Sequence, residues 1–278
     1  MLTTEIRNGA LWLRINRPEK HNALTPPLVQ GLLDGLARAE AEPTAHSVVI
    51  TGTGRSFCAG ADLDFFLSCV RAPDGLDQFV GGVVGPLATL LGRIRESPLP
   101  VIGALNGPVV AGGLELAVGL DLLIASSTAT FADAHSLRGL APAVGGAFGL
   151  AAAVGAQFAA RMLFLGDACD ADSAHRQGLV AEVTAPEDLE KRVGEITSML
   201  AERSAVSLAQ LKRQIRRATV PDWDQWMAAD LADFESAWGN PDMAEGIAAF
   251  VERRPSQFPA RTTSDPAGCV SEGSTLVS

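Results

Sequence analysis

The chain has 278 residues, 47% of them hydrophobic, enough for a large buried core and more than one ordinary domain needs. A formal net charge of −10, with only three lysines (Lys20, Lys191 and Lys212), argues against nucleic acid as a general partner. An anionic ligand must then be met locally, mostly by arginine or by backbone N–H groups. No apolar run reaches membrane-spanning length without Gly, Pro or a charge, and the opening MLTTEIRNGALWLRI lacks the basic start and apolar stretch of a signal peptide, so no membrane contact and a cytoplasmic protein are expected.

In chain order, Thr3–Asn8 and Ala10–Ile15 flank Gly9 and predict a hairpin. A polar loop, Asn16–Asn22, precedes a helix capped by Thr25, with Pro26 at its first position, that runs to Ala41 with Leu28, Leu32, Leu33 and Leu36 on one face. Ser47–Thr51 predicts a buried strand and Gly52–Gly60 a Gly-rich loop. Helices are expected from Leu63 and over Leu87–Glu96, and the Pro/Gly content of Arg71–Gly75 predicts a mobile loop between them. Val101–Leu105 is a strand ending at the turn Asn106-Gly107-Pro108, Gly112-Gly113 opens a helix, and Asp121–Ala125 and Thr130-Phe131 are further strands. A loop through His135 and Pro142 leads to small-residue helices over Gly146–Ala153 and Gln157–Leu165. Next come a turn at Gly166-Asp167, a short helix over Ala171–Gln177 and a strand over Leu179–Val183. Four helical segments close the pattern: Glu187–Ala201, Ala205–Ala218, Trp223–Trp238 and Met243–Val251. Residues 261–278, rich in Ser, Thr and Gly, predict a disordered tail.

The stretch Ala104–Gly146 carries the chemistry. Glu115 sits among Leu114, Leu116, Ala117 and Val118, where a carboxylate is costly to bury ionised and its pKa should rise. Gly112 has no Cβ, so its N–H, unpartnered at a helix start, can approach a ligand closely. A free donor and a poised carboxylate within four residues suit chemistry beside a developing oxyanion. Other sites are disfavoured. Cys58, Cys69, Cys169 and Cys269 form no C-x-x-C pair, the four histidines are scattered, and no metal site is expected. The run Gly52-Thr53-Gly54-Arg55-Ser56 lacks the third glycine of a dinucleotide fingerprint, Phe57 standing there. There is no G-x-S-x-G elbow and no H-E-x-x-H helix.

Several segments, in order, resemble the crotonase (enoyl-CoA hydratase/isomerase) superfamily: Asn16-Arg17-Pro18 with Asn22-Ala23-Leu24, Phe57–Leu63, Asn106-Gly107, Gly112–Ala117, Asp121, Gly139, Pro142, Gly145-Gly146 and Gly178-Leu179-Val180. The resemblance implies an α/β fold, a crotonase-like spiral of ββα units over 1–190, followed by a C-terminal helical trimerisation region over 191–260. It implies trimers, often paired into hexamers, and an acyl-coenzyme A ligand with no separate cofactor. The thioester carbonyl would lie between the N–H groups of Ala61 and Gly112. Arg17, Lys20, His21, Ala23, Ala59, Gly60, Asp62, Leu63 and Gly113 would contact the coenzyme A part, and Phe65, Phe66, Phe79, Val83 and Val84 the acyl part.

Two departures stand out. The family's first hydratase glutamate matches Glu115, but the second falls on His135, an imidazole with an ordinary pKa near 6.5; Asp133 would supply a carboxylate if the loop shifted. A lysine that many relatives use for coenzyme A phosphate is Asp64 here, so the nucleotide must lean on Arg17, Lys20 or His21, or on Arg253 and Arg254 of a neighbouring subunit. The expected activity is addition of water to a trans-2-enoyl thioester. Isomerisation, decarboxylation, thioester hydrolysis and acyl-coenzyme A binding without turnover are the alternatives. Asp62 is expected to cap the Leu63 helix, Asp121 to orient a turn, and Trp223 with Trp226 to pack.

Overall fold

The structure, a computed structural model, describes residues 1–258, so the tail expected over 261–278 lies outside the described residues. The chain opens with the antiparallel pair β1 (Leu2–Arg7) and β2 (Ala10–Ile15), in register from Leu2↔Ile15 to Arg7↔Ala10. Asn8 and Gly9 both take positive φ, as a two-residue hairpin turn matched to strand twist requires. Helix α1 (Pro26–Ala41) packs its buried Leu28, Val29, Leu32 and Leu36 into the core. Strand β3 (Ser47–Gly52) then lies parallel to β2 and is buried throughout, which explains its unbroken apolar run.

Asp62 caps α2 (Leu63–Arg71) by accepting the N–H groups of Asp64 and Phe65, as expected. The loop expected over Arg71–Gly75 is a three-residue turn, Ala72–Asp74, between two helices. Gly75 opens α3 (Gly75–Phe79), which runs through a π-helical turn at Val80–Val84 into α4 (Gly85–Glu96) without leaving helical backbone angles. The glycines there weaken any sequence signal for helix, yet the segment buries Phe79, Val83, Val84 and Leu87.

Strand β4 (Val101–Leu105) pairs parallel with β3, and β5 (Val109–Val110) starts a second sheet. After α5 (Gly112–Val118), β6 (Leu122–Ser126) returns to the first sheet and β7 (Thr130–Ala132) to the second. Helices α6 (Gly146–Val154) and α7 (Ala156–Leu165) precede β8 (Cys169–Asp170), α8 (Ala171–Arg176) and β9 (Glu182–Thr184). The larger sheet has the order β1-β2-β3-β4-β6-β9 and the smaller β5-β7-β8, so from β4 to β7 successive strands alternate between the two sheets, as in a crotonase-type spiral. Strands β5 and β8 have two residues each, too short to show a period. The last strand lies a few residues past the expected Leu179–Val183.

Alternate residues of the larger sheet serve two cores. Leu11, Leu13 and Ile50 join the main one, while Trp12, Val49, Ile102 and Ile124 face Leu189, Val193 and Ile196 of α9 (Leu189–Ala201). The expected boundary at 190/191 therefore falls inside a helix that packs on the sheet. Helix α10 (Ala205–Thr219) is pinned by Asp121, which accepts from Lys212 Nζ, Arg216 Nη2 (2.7 Å each) and the Val101 N–H (2.8 Å). Asp121 thus does more than orient a turn. Helices α11 (Trp223–Ala237) and α12 (Pro241–Glu252) complete the described chain. Phe234 and Trp238 stack against Phe79, centroids 5.9 and 5.6 Å apart, which seats α11 over the segment that lines the site.

Candidate active site

Two side-chain amides, the buried Asn22 and the half-buried Asn106, hold the loops that form the site. Asn22, in the left-handed region at φ 58°, accepts the Arg17 N–H (2.9 Å) and donates to the carbonyls of Thr53 (2.9 Å) and Ser56 (2.7 Å). Asn106 accepts the Gly52 N–H (3.0 Å) and donates to Gly54 (2.9 Å). Loop 53–60 is thereby locked to the end of β4, and single bridges, Leu24↔Ala61 and Cys58↔Val109, carry it past the start of α5. A Cβ on Gly60 (φ 88°) would lie 3.0 Å from the Gly112 nitrogen, and one on Gly113 would collide with the Cys58 carbonyl. A Cβ on Gly112 would meet only ordinary contacts, among them the Ala61 nitrogen at 3.7 Å. Packing therefore demands glycine at 60 and 113, whereas at 112 it would accept a Cβ, which would stand beside the Ala61 amide. Neither the Ala61 nor the Gly112 N–H finds an acceptor among the described residues.

These contacts separate two substitutions. Gly113→Ala should lower stability by roughly 1–3 kcal/mol, read as an earlier denaturant midpoint, because the Cys58 backbone must move. Gly112→Ala should keep the midpoint and instead weaken ligand binding or turnover. A Gly113→Ala midpoint equal to that of the unaltered chain would contradict this packing.

Glu115, on α5, is buried and faces the cavity. Its Oε1 accepts the N–H groups of Ala143 (2.9 Å) and Val144 (2.8 Å). Burial pushes its carboxyl up, against the pull of His135 and of those two amides. Its Oε2 lies 3.9 Å from His135 Nε2, too long for a direct hydrogen bond and suited to one bridging water.

Asp133 does not take the place of a second glutamate. It is buried away from the cavity lining and turns both oxygens onto His135: Oδ1 accepts the His135 N–H (2.9 Å) and Oδ2 meets Nδ1 (2.8 Å). Burial alone would pull the His135 pKa down, but the charge and hydrogen bond of Asp133, joined by Glu115, outweigh it and raise the imidazole to about 9. The ordinary value near 6.5 is thus replaced by that of an imidazolium held at neutral pH. Three residues in a row, Asp133–His135–Glu115, present one movable proton to the cavity.

The cavity has a volume of about 520 Å³ and mostly apolar walls. Lys20, His21, Ala23, Ala59, Ala61, Asp62, Leu63, Gly112, Glu115 and His135 line it; Arg17, Gly60 and Gly113 do not. Arg17 instead braces the wall, reaching Asp62 Oδ2 (2.9 Å) and the Ala23 carbonyl (2.6 Å). Burial opposes the Asp62 charge, yet Arg17 and the Phe65 N–H hold its carboxyl below the usual range. Lys20 is paired with Asp64 at 2.8 Å, so the residue in place of the family's lysine occupies the nearest cation. His21 Nδ1 meets Ser56 Oγ at 3.1 Å. Arg254 is tied to Glu245, and Arg253 closes α12 in the left-handed region. Of the expected acyl-side residues, Phe66, Phe79, Val83 and Val84 line the cavity; Phe65 packs against Phe79 outside that lining. Phe234, Ile247 and Phe250, brought in by α11 and α12, were not foreseeable from local sequence, because nothing in a helical pattern says which earlier loop it will cover.

Residues 5–261 match the family described as enoyl-CoA hydratase/isomerase. A crotonyl-CoA hydratase from Syntrophomonas wolfei is 32% identical over 250 residues, 88% of this chain and 93% of its own. A 1,2-epoxyphenylacetyl-CoA isomerase from Escherichia coli is 30% identical, over 92% and 97%. A solved enoyl-CoA hydratase/isomerase from Pseudoalteromonas atlantica superposes with a TM-score of 0.83 at 30% identity, covering 93% of this chain and 99% of that one. The fold and the cavity therefore define a crotonase-type enzyme. The chain belongs to the enoyl-CoA hydratase/isomerase family.

Proposed function

We propose that the protein adds water across the double bond of a 2-enoyl-coenzyme A thioester, with Glu115 as base and His135 as acid. The observation that carries this is the 3.9 Å gap between Glu115 Oε2 and His135 Nε2 in the cavity that also exposes the Ala61 and Gly112 amides. The thioester carbonyl oxygen accepts from those two N–H groups. Glu115 takes a proton from the water between it and His135, and the water oxygen bonds to Cβ. The π electrons pass through Cα to the carbonyl oxygen, whose growing charge the fixed amides stabilise; losing one such donor typically costs about 3 kcal/mol of barrier. His135 Nε2–H then protonates Cα, and the proton on Glu115 returns to His135 to restore the starting state. An imidazolium and a carboxylate carry the same proton count as a neutral acid beside a carboxylate, so His135 serves where a second glutamate would.

The same pair can also move a proton between carbons of an enoyl group, which would be isomerisation without gain of water. Incubation with crotonyl-CoA, followed by mass spectrometry and NMR, separates the two. Gain of one water with a new hydroxyl at Cβ is expected, and recovery of unhydrated 2-enoyl thioester would overturn hydration.

The C-terminal helices support a proposal of trimeric or hexameric assembly. Val206, Leu211 and Ile215 stand exposed on α10. Sedimentation at micromolar concentration should give a species of three or six chains, and a monomer would refute it.

A further inference from the structure

Arg138 ends the single 3₁₀ turn that follows His135, and it lines the same cavity. The other cations of the wall have partners: Lys20 has Asp64 and the His135 ring has Asp133. Arg138 has no carboxylate within 4.0 Å among the described residues, and the one hydrogen bond of its guanidinium there is a long contact, 3.4 Å, to the Leu137 carbonyl. The guanidinium carbon sits 4.0 Å from the ring centroid of Phe250 on α12, another lining residue. That ring holds the planar cation in place but supplies no counter-charge. Burial alone acts on the Arg138 pKa, lowering it, with no acid pulling it back. An arginine stays protonated regardless, so the cavity keeps a half-buried positive charge that is unneutralised among the described residues.

Position decides which part of a ligand would meet it. The thioester oxygen belongs beside the Ala61 and Gly112 amides, and Cα and Cβ belong between Glu115 and His135. Whatever extends past Cβ lies on the far side of that pair, and Arg138 is one turn beyond His135. Much of the rest of the cavity lining is hydrocarbon, Phe79, Val84, Phe234 and Ile247 among it. A single guanidinium in such a wall rewards a planar anion with paired hydrogen bonds and offers nothing to a methyl terminus.

We propose that Arg138 recognises a carboxylate on the acyl chain, so that the preferred substrates are short 2-enoyl thioesters ending in a carboxylate. The proposal rests on the thioester reading above. It commits Arg138 to the acyl group and not to the phosphates of coenzyme A.

The test compares the full-length protein with Arg138→Met, which keeps side-chain length and contact with Phe250, and with Arg138→Lys. Glutaconyl-CoA and crotonyl-CoA differ by one carboxylate. The unaltered protein should favour glutaconyl-CoA by about tenfold or more in kcat/KM. Arg138→Met should erase that preference by lowering glutaconyl-CoA turnover far more than crotonyl-CoA turnover, and Arg138→Lys should keep part of it. Equal losses on both thioesters would mark Arg138 as a packing residue for α12 and overturn the proposal. Calorimetry with the saturated pair, glutaryl-CoA and butyryl-CoA, reads recognition without turnover. Tighter binding of glutaryl-CoA, lost in Arg138→Met, supports the site even if no water is added. Equal binding of the two defeats this proposal alone, whereas binding of neither defeats the thioester reading and the proposal with it. Free coenzyme A is the last arm: if Arg138→Met weakens it as much as glutaryl-CoA, the guanidinium serves a phosphate and the proposal fails.

Discussion

Glu115→Gln should leave the protein folded and lower hydration of a 2-enoyl thioester by about 10²–10⁴-fold, the usual contribution of a positioned acid or base. The glutamine oxygen can still accept from Ala143 and Val144, so the cradle around Oε1 survives. Its NH₂ group would then face His135, a donor where a base is needed. Stability should move the other way. Burial raises the Glu115 pKa in the folded state, so whatever the carboxyl contributes is present at low pH and lost as pH rises through the folded value. The ionised carboxylate is therefore the costly form in the fold, and Glu115→Gln, neutral at every pH, should melt no lower than the unaltered protein. Glu115→Ala differs: it strands two buried N–H groups, each costing about 1–3 kcal/mol, and should melt earlier. A Glu115→Gln enzyme within a fewfold of full activity, measured on crotonyl-CoA, would remove Glu115 from the reaction.

The spiral was legible because its central strands are buried on both faces and its turns are marked by Asn-Gly, Gly-Gly and Pro. Ser47–Thr51 and Val101–Leu105 are buried throughout, and the α5 start is punctuated by two glycines whose roles diverge. Gly113 is needed for packing against Cys58, while Gly112 leaves room beside the Ala61 amide; sequence shows the pair but not which glycine does which. The π-helical turn at Val80–Val84 escaped because three glycines within Gly81–Gly85 read as loop, although burial against the aromatic cluster holds them helical. Charges were the least legible. Lys20 and Arg17 look like free cations in the sequence, and each is paired with an aspartate more than forty residues away. Asp133 and His135 are two residues apart, a spacing that says nothing by itself. Only the Asp133 side chain, accepting the His135 N–H and meeting Nδ1, holds the imidazole against the carboxylate, and the turn at Ser136–Arg138 leaves Arg138 facing no acid among the described residues.

That pairing gives Asp133 an effect out of proportion to its distance from the substrate. It is a positioning residue, acting through His135. With both oxygens accepting from His135, it fixes Nδ1 as the protonated nitrogen nearest to it and turns Nε2 toward Glu115. An asparagine in its place would offer one acceptor and one donor, so either the main-chain N–H or the ring would lose its partner, and the imidazolium would lose its counter-charge. Burial would then dominate, and the His135 pKa should fall from about 9 to the ordinary 6.5 or below. The charged groups facing the ring are Asp133 from its own loop, Glu115 from α5 and Arg138 from the following turn. Asp230 of α11, pushed up to about 6 by burial, holds the Gly145 N–H next to the Glu115 cradle. In the unaltered enzyme kcat/KM should rise as Glu115 ionises and fall as His135 deprotonates near pH 9. Asp133→Asn should bring the falling limb down to about pH 6.5, with a loss of about fourfold at pH 7 that grows to nearly 10²-fold by about pH 8.5 and vanishes at low pH. Stability carries the same sign. A folded pKa above the unfolded one contributes fully below about pH 6.5 and is lost as pH rises toward 9, so the unaltered protein should lose stability over that window while Asp133→Asn should not. Asp133→Glu, which keeps the charge at a longer reach, should restore part of the alkaline limb. An NMR titration of His135 reads the shift directly: an unmoved titration in Asp133→Asn, with activity lost at every pH alike, would reduce Asp133 to a packing residue.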